Sequence, residues 1–168
     1  MATRAFTLIE LVAVIVITAI LAGVAIPAVW GVADARSTAA ARAIAQQLSF
    51  ARERALNTGN RVWVAFDAGT DSYEILAEPD GGAGYDDAVA LPDPTTGRGM
   101  GLTLNHGEFA GVGIASAGFD GSAVVGFDWL GSPLDGSGGA LSADGAVTLD
   151  SGVTIGVAAM TGDIRIGP

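Results

Sequence analysis

The sequence predicts an α+β fold: one long N-terminal α-helix, hydrophobic in its first half, packed on a C-terminal antiparallel β-sheet or small β-sandwich. Three observations lead there. Residues 11–33 carry no charge at all. A helical stripe of apolar residues then continues towards Asn57-Thr58-Gly59-Asn60. Beyond it the composition turns over. Of the 25 glycines, 23 lie from Gly59 onward, among short β-prone runs.

The first element begins with a short leader, Met1-Ala-Thr-Arg-Ala5, which runs into Phe6-Thr-Leu-Ile-Glu10. As a helix, residues 11–33 would extend ~34 Å at ~1.5 Å per residue, against a hydrocarbon core of roughly 30 Å. The segment is membrane-length, with one carboxylate, Glu10, at its head. A charge in hydrocarbon costs several kcal/mol and usually marks function. Ala33-Asp34-Ala35 offers the small-x-small site of a secretory signal, but the apolar run before it is too long for one. A plain membrane anchor satisfies hydropathy alone. The start amine and Arg4 favour an N-terminus left in the cytoplasm.

In the helix's second half, Ala40, Ile44, Leu48, Ala51 and Ala55 recur at spacings of four, four, three and four. They trace one face, with Arg36, Arg42, Arg52 and Arg54 mostly off it. Gly59 suits the C-terminal cap, which places one helix over about residues 6–56. Gly23, Pro27 and Gly31 should kink or weaken it. Strands are expected at 61–67 and 72–78 around the turn 68–71, then at 102–104, 112–115, 122–129, 146–149, 153–158 and 163–166. The last two are joined by a hairpin turn at 159–162.

Chemistry is sparse. The formal charge of −10 argues against a nucleic-acid surface, which needs clustered cations. With no cysteine there is no disulfide framework, thiol nucleophile or Cys-based metal site. The stretch 79–101 is rich in Gly, Pro and Asp without periodicity and reads as a long acidic loop. Its Asp80, Asp86, Asp87 and Asp93 have the oxygen donors calcium needs, but their spacing matches no EF-hand, and a solvated loop is the simpler reading. His106, the one histidine, reads as a turn residue. Ser116 lacks the nucleophile-elbow glycines, and Gly97-Arg-Gly-Met-Gly101 lacks the Lys-Ser/Thr ending of a phosphate loop. Trp63, Tyr73, Phe127 and Trp129 fall in expected strands as packing residues, with Trp129 the one that could face a partner. No catalytic residues and no cofactor emerge, and the chain does not read as an enzyme.

Arg4-Ala5-Phe6-Thr7-Leu8-Ile9-Glu10-Leu11, followed by a long apolar helix containing Pro27, resembles the class III signal of type IV pilins and type II secretion pseudopilins. Ala51-Arg-Glu-Arg-Ala-Leu-Asn-Thr-Gly-Asn-Arg-Val, together with Phe127 to Pro133, Gly152-Val-Thr-Ile-Gly-Val and Thr161 to Ile166, is similar to the GspH/FimT branch. The resemblance implies a pilin-like fold and a prepilin peptidase cut between Ala5 and Phe6, with N-methylation of Phe6. Here Ala5 replaces the usual glycine. Glu10 becomes the assembly residue that meets a neighbour's new α-amino group, and Pro27 loosens the helix on assembly. The implied parts are a leader (1–5), a transmembrane and assembly helix (6–33), an amphipathic helix (34–58) and a periplasmic β-rich head (59–168). The implied partners are membrane lipid before assembly, other pseudopilins in a helical fibre and the inner-membrane secretion platform. The implied role is that of a minor pseudopilin in protein secretion. The alternative is a FimT-like minor type IV pilin in pilus assembly or DNA uptake. Relatives proposed to hold DNA carry several C-terminal arginines, where this chain has Arg165 beside Asp163.

Overall fold

The computed structural model describes residues 7–80, 82 and 84–167, with the side chains of 23–30 outside the described set. The chain divides into two compact units, Met1–Ala35 and Arg36–Pro168. The helix α1 (Leu8–Thr58) begins in the first and ends in the second. Its helical geometry is continuous past Gly23, Pro27 and Gly31.

In the second unit the expected stripe is buried: Ala40, Ile44, Leu48, Ala51 and Ala55 are all at 0–1% exposure, and Ala41 joins them. Small residues at most of these positions let the sheets approach closely, while Ile44 and Leu48 fill the gap between. Burying each of these two contributes roughly 1.5–3 kcal/mol. Gly59, at φ +77°, ends α1 as expected, and its N–H bonds the Ala55 carbonyl at 2.9 Å. An L side chain rarely adopts that backbone conformation.

Among the described residues ten strands follow: β1 (Val62–Asp67), β2 (Ser72–Ala77), β3 (Val89–Ala90), β4 (Gly101–Thr103), β5 (Ile114–Gly118), β6 (Val124–Phe127), β7 (Pro133–Leu134), β8 (Gly145–Leu149), β9 (Thr154–Val157) and β10 (Ile164–Gly167). They form two antiparallel sheets. One has the order β3-β2-β1-β6-β7 with β4 also paired to β2, and the other has the order β10-β9-β8-β5. The core joins the helix stripe to Val62, Val64 and Phe66 of β1, Val125 and Phe127 of β6, and Val147, Leu149, Ile155 and Val157 of the second sheet.

Strand β1 lies between β2 and β6 and is buried on both faces. Its Trp63 points away from the main core into a second cluster with Leu76 and Leu134. The Tyr85 ring meets it edge-on, with centroids 5.9 Å apart. Gly126 opposes Trp63 across the β1–β6 pair, and a Cβ there would run into the indole ring.

Three expectations need correction. The stretch 79–101 is not a structureless loop. It holds a 3₁₀ turn (Tyr85–Asp87), strand β3 and a Pro92–Gly99 bridge. Leu91 is buried there and bonds the Ile75 carbonyl at 2.8 Å. Pieces of two or three residues leave no period to read. The expected strand 122–129 is only Val124–Phe127, because the Asp128 carboxylate accepts the Leu130 and Ser132 N–H groups and turns the chain. Trp129 therefore lies outside the core, at 60% exposure.

Candidate functional site

Thr7 precedes the first turn of α1, and its carbonyl accepts the N–H groups of Glu10 and Leu11 at 3.1 and 3.2 Å. Its hydroxyl lies 3.4 Å from the Glu10 N–H. Thr7-Leu-Ile-Glu10 has the spacing of a capping box, with a hydroxyl residue at the N-cap and Glu three positions on. A carboxylate in the first turn also meets the positive end of the helix dipole. Local chemistry thus tolerates Glu10 in an otherwise apolar stretch. Among the described residues its carboxylate makes no ion pair, and it is exposed.

The residues around it are apolar on every side. Leu8 and Ile9 are about four-fifths exposed, and Leu11, Val14, Ile15, Ile17, Ile20 and Leu21 are exposed by half or more. Thr18 bonds its hydroxyl back to the Val14 carbonyl at 2.6 Å, so it presents no unmatched donor to apolar surroundings. A helix that is apolar all round calls for neighbouring helices or lipid. Among the described residues no helix is long and apolar enough to cross a membrane. The uncharged sequence 11–33 runs through 23–30, whose side chains lie outside that set. The processing residues Ala5 and Phe6 lie outside the described residues, as does the side chain of Pro27.

The acidic candidates do not converge. Asp80 accepts the Asn60 side-chain amide at 2.9 Å, and Asp86 and Asp87 lie in the 3₁₀ turn. Asp93 accepts the Thr95 N–H at 2.7 Å and the Thr96 hydroxyl at 3.2 Å. The backbone bond from Thr95 is the main reason its carboxyl sits below the ordinary range. Among the described residues no group of three acidic or histidine side chains is placed to hold a metal. His106 precedes a second 3₁₀ turn (Gly107–Phe109), Ser116 is exposed on β5, and Gly97 sits in a turn at φ +69°.

Two arginines on α1 have roles the helical pattern did not reveal. Arg36 donates to the Ala110 carbonyl at 3.1 Å. Arg52 donates Nε to the Gly131 carbonyl at 3.0 Å and a terminal nitrogen to the Thr161 carbonyl at 2.8 Å. Their positions off the apolar stripe were legible, but their partners lie 74 to 109 residues away. Glu78 was also unforeseen. It is buried at 8% exposure, with Arg61 as its nearest cation.

Residues 1–26 match the prokaryotic N-terminal methylation motif. The fold is similar to that of the minor pseudopilin EpsH from the type 2 secretion system of Vibrio cholerae, in two solved structures. One gives a TM-score of 0.55 at 13% identity, covering 79% of this chain and 95% of EpsH. The other gives 0.52 at 15% identity, covering 79% and 96%. The fold is thus that of a pilin-like subunit, with a methylation motif at its start. A looser likeness, TM-score 0.44 at 13% identity, is to the type IV minor pilin FimU of Pseudomonas aeruginosa strain PAO1, covering 78% of this chain and 92% of that one. No curated protein sequence matches. The chain shares its architecture, a long N-terminal helix on antiparallel sheets, with that pseudopilin.

Proposed function

We propose that this pilin-like chain is a minor pseudopilin, a structural subunit of a type II secretion pseudopilus. One observation carries the reading: a methylation motif at residues 1–26 and an EpsH-like head occur in the same chain. In this reading prepilin peptidase cuts between Ala5 and Phe6 and methylates Phe6. The subunit waits in the inner membrane with its N-terminus cytoplasmic and its head periplasmic. The secretion platform then draws it into a fibre, where the apolar stem packs among neighbouring stems. Pro27 eases local unwinding of the helix as it does so.

Glu10 sets the register. A buried carboxylate strongly favours a partner, and the free amine of Phe6 on an adjacent subunit supplies one. Hydrophobic packing gives the stem's affinity at ~25 cal/mol per Å² of apolar area before ordering costs. The ion pair selects which axial offset is acceptable. The test is the mass of the N-terminal peptide of the native protein taken from membranes. A methylated peptide beginning at Phe6 is expected, and a peptide beginning at Met1 would overturn the reading. Deleting the chain should then reduce protein secretion while leaving type IV pili intact. Loss of pili or DNA uptake with secretion intact would instead select the FimT-like role.

A further inference from the structure

We propose that the gap between α1 and strands β2 and β4 is a binding pocket for a neutral, hydroxyl-rich ligand, a short saccharide. A cavity of about 400 Å³ lies there, wholly within the unit Arg36–Pro168. Gln46 and Gln47 line it from α1 and Tyr73 lines it from β2. Asp93 reaches it from the turn after Leu91, and Glu108 from the 3₁₀ turn Gly107–Phe109.

Tyr73 is the residue that calls for a ligand. It is only 5% exposed, its ring packed against Phe66 with centroids 5.9 Å apart. Among the described residues three side-chain polar atoms are sealed from solvent without a partner: Gln47 Oε1, Trp63 Nε1 and Glu78 Oε1. The Tyr73 hydroxyl has no hydrogen-bond partner there either, yet it is not one of the sealed atoms. It therefore opens on the cavity that its residue lines. Burial raises the phenol to about 12, so at neutral pH the group stays an uncharged donor. Gln47 repeats the pattern. Its Oε1 is sealed, so the amide nitrogen, also unbonded, is the end that meets the cavity.

The floor thus offers donors, while the carboxylates of Asp93 and Glu108 offer acceptors. No arginine or histidine is among the described residues that line the cavity. An anion would face two carboxylates with no cation to offset them. A cation would bring more donors to a floor that already donates, and an apolar ligand would strand the Tyr73 hydroxyl. A sugar hydroxyl both accepts and donates through one oxygen. Neighbouring hydroxyls can take the Tyr73 and Gln47 protons and give their own to the carboxylates. Pro94, Met100 and Phe109 supply apolar surface for the C–H face of the ring. The cavity lies at the small end of ligand sites, which suits a disaccharide better than a long chain. This argument does not rest on the fibre reading, and either can fail alone.

The test uses the full chain in micelles of a polyoxyethylene detergent, whose headgroup is not a sugar. It is titrated with cellobiose, maltose and N,N′-diacetylchitobiose, followed by calorimetry and by the Gln47 side-chain amide resonance. Saturable binding of at least one is expected. Tyr73→Phe removes only an unbonded hydroxyl, so it should weaken binding about fivefold without lowering the urea midpoint at neutral pH. Gln47→Leu should also weaken binding several-fold, and it serves if Tyr73→Phe does not fold. Glu53→Gln, an exposed acid outside this cavity, should leave affinity unchanged. Tighter binding of chitobiose, with its amines kept protonated, would mark a cation site and overturn the proposal. Tighter binding of a terminally blocked Gly-Gln-Gly peptide would do the same in favour of a polypeptide. So would no saturable response to any of the three neutral sugars, unchanged affinity in the Tyr73 or Gln47 variant, or an equal loss in Glu53→Gln.

Discussion

Replacing Arg52 by methionine keeps the aliphatic stem on α1 and removes both donors that hold the turns after β6 and β9. The two lost bonds are unequal. Gly131 is buried, so its carbonyl loses a 3.0 Å bond with little water to replace it. That costs about 1–3 kcal/mol. Thr161 is exposed, so water takes over there and the loss is about 0.5 kcal/mol or less. The sum is about 2 kcal/mol, equivalent to a fall of roughly 4–8 °C in Tm for a chain of this size. Arg52→Lys can reach only one carbonyl at a time and should recover about half the loss. Urea unfolding of the full chain in micelles, followed by tryptophan fluorescence, measures both variants. The reasoning fails if Arg52→Met lies within about 0.5 kcal/mol of the parent, or if Arg52→Lys is no better than Arg52→Met.

Glu10→Leu should leave leader cleavage and membrane insertion intact while the variant fails to co-purify with fibres. Normal incorporation, scored by fractionation, would refute the role given to the carboxylate. Gly126→Ala should destabilise the head by about 1–3 kcal/mol, because the added methyl must displace the Trp63 ring in a filled cluster. Thermal melts read that loss. Burial raises the Tyr73 phenol from 10.0 to about 12. The folded state therefore keeps a proton that the unfolded chain releases, and stability should decline as pH rises from about 10 to about 12. Urea midpoints taken across that window should fall less steeply in Tyr73→Phe, and an identical slope would rule out Tyr73 as the source.

How much was legible depended on length and period. The helix stripe from Ala40 to Ala55 and the Gly59 stop were plain, because apolar residues three and four apart, sustained over several turns, fit a helix face and no strand. The long hairpin β1–β2 was equally plain, with its turn at 68–71 built by the Asp67 carboxylate accepting the Gly69 N–H at 2.8 Å. Strands β3 and β7 escaped notice because two residues carry no alternation, and Pro133 argues against a strand unless it sits at an edge. β7 is at the edge of its sheet. Trp129 was misplaced by one local event, the Asp128 side chain capturing two N–H groups beyond the strand. Glu10 stood out at once as a charge at the head of an apolar run. Glu78 did not, since a glutamate at the end of an expected strand looks like any solvated edge residue until the fold closes over it.

The double-sided burial of β1 bears on how the head comes apart. Its odd- and even-numbered residues anchor different clusters, so neither cluster can melt while the strand stays in place. Damage at Trp63 and damage at Val64 should therefore lower the same transition, with far-ultraviolet and fluorescence probes overlaying through it. A central strand shared in this way couples the two clusters of the unit Arg36–Pro168, which should therefore unfold together.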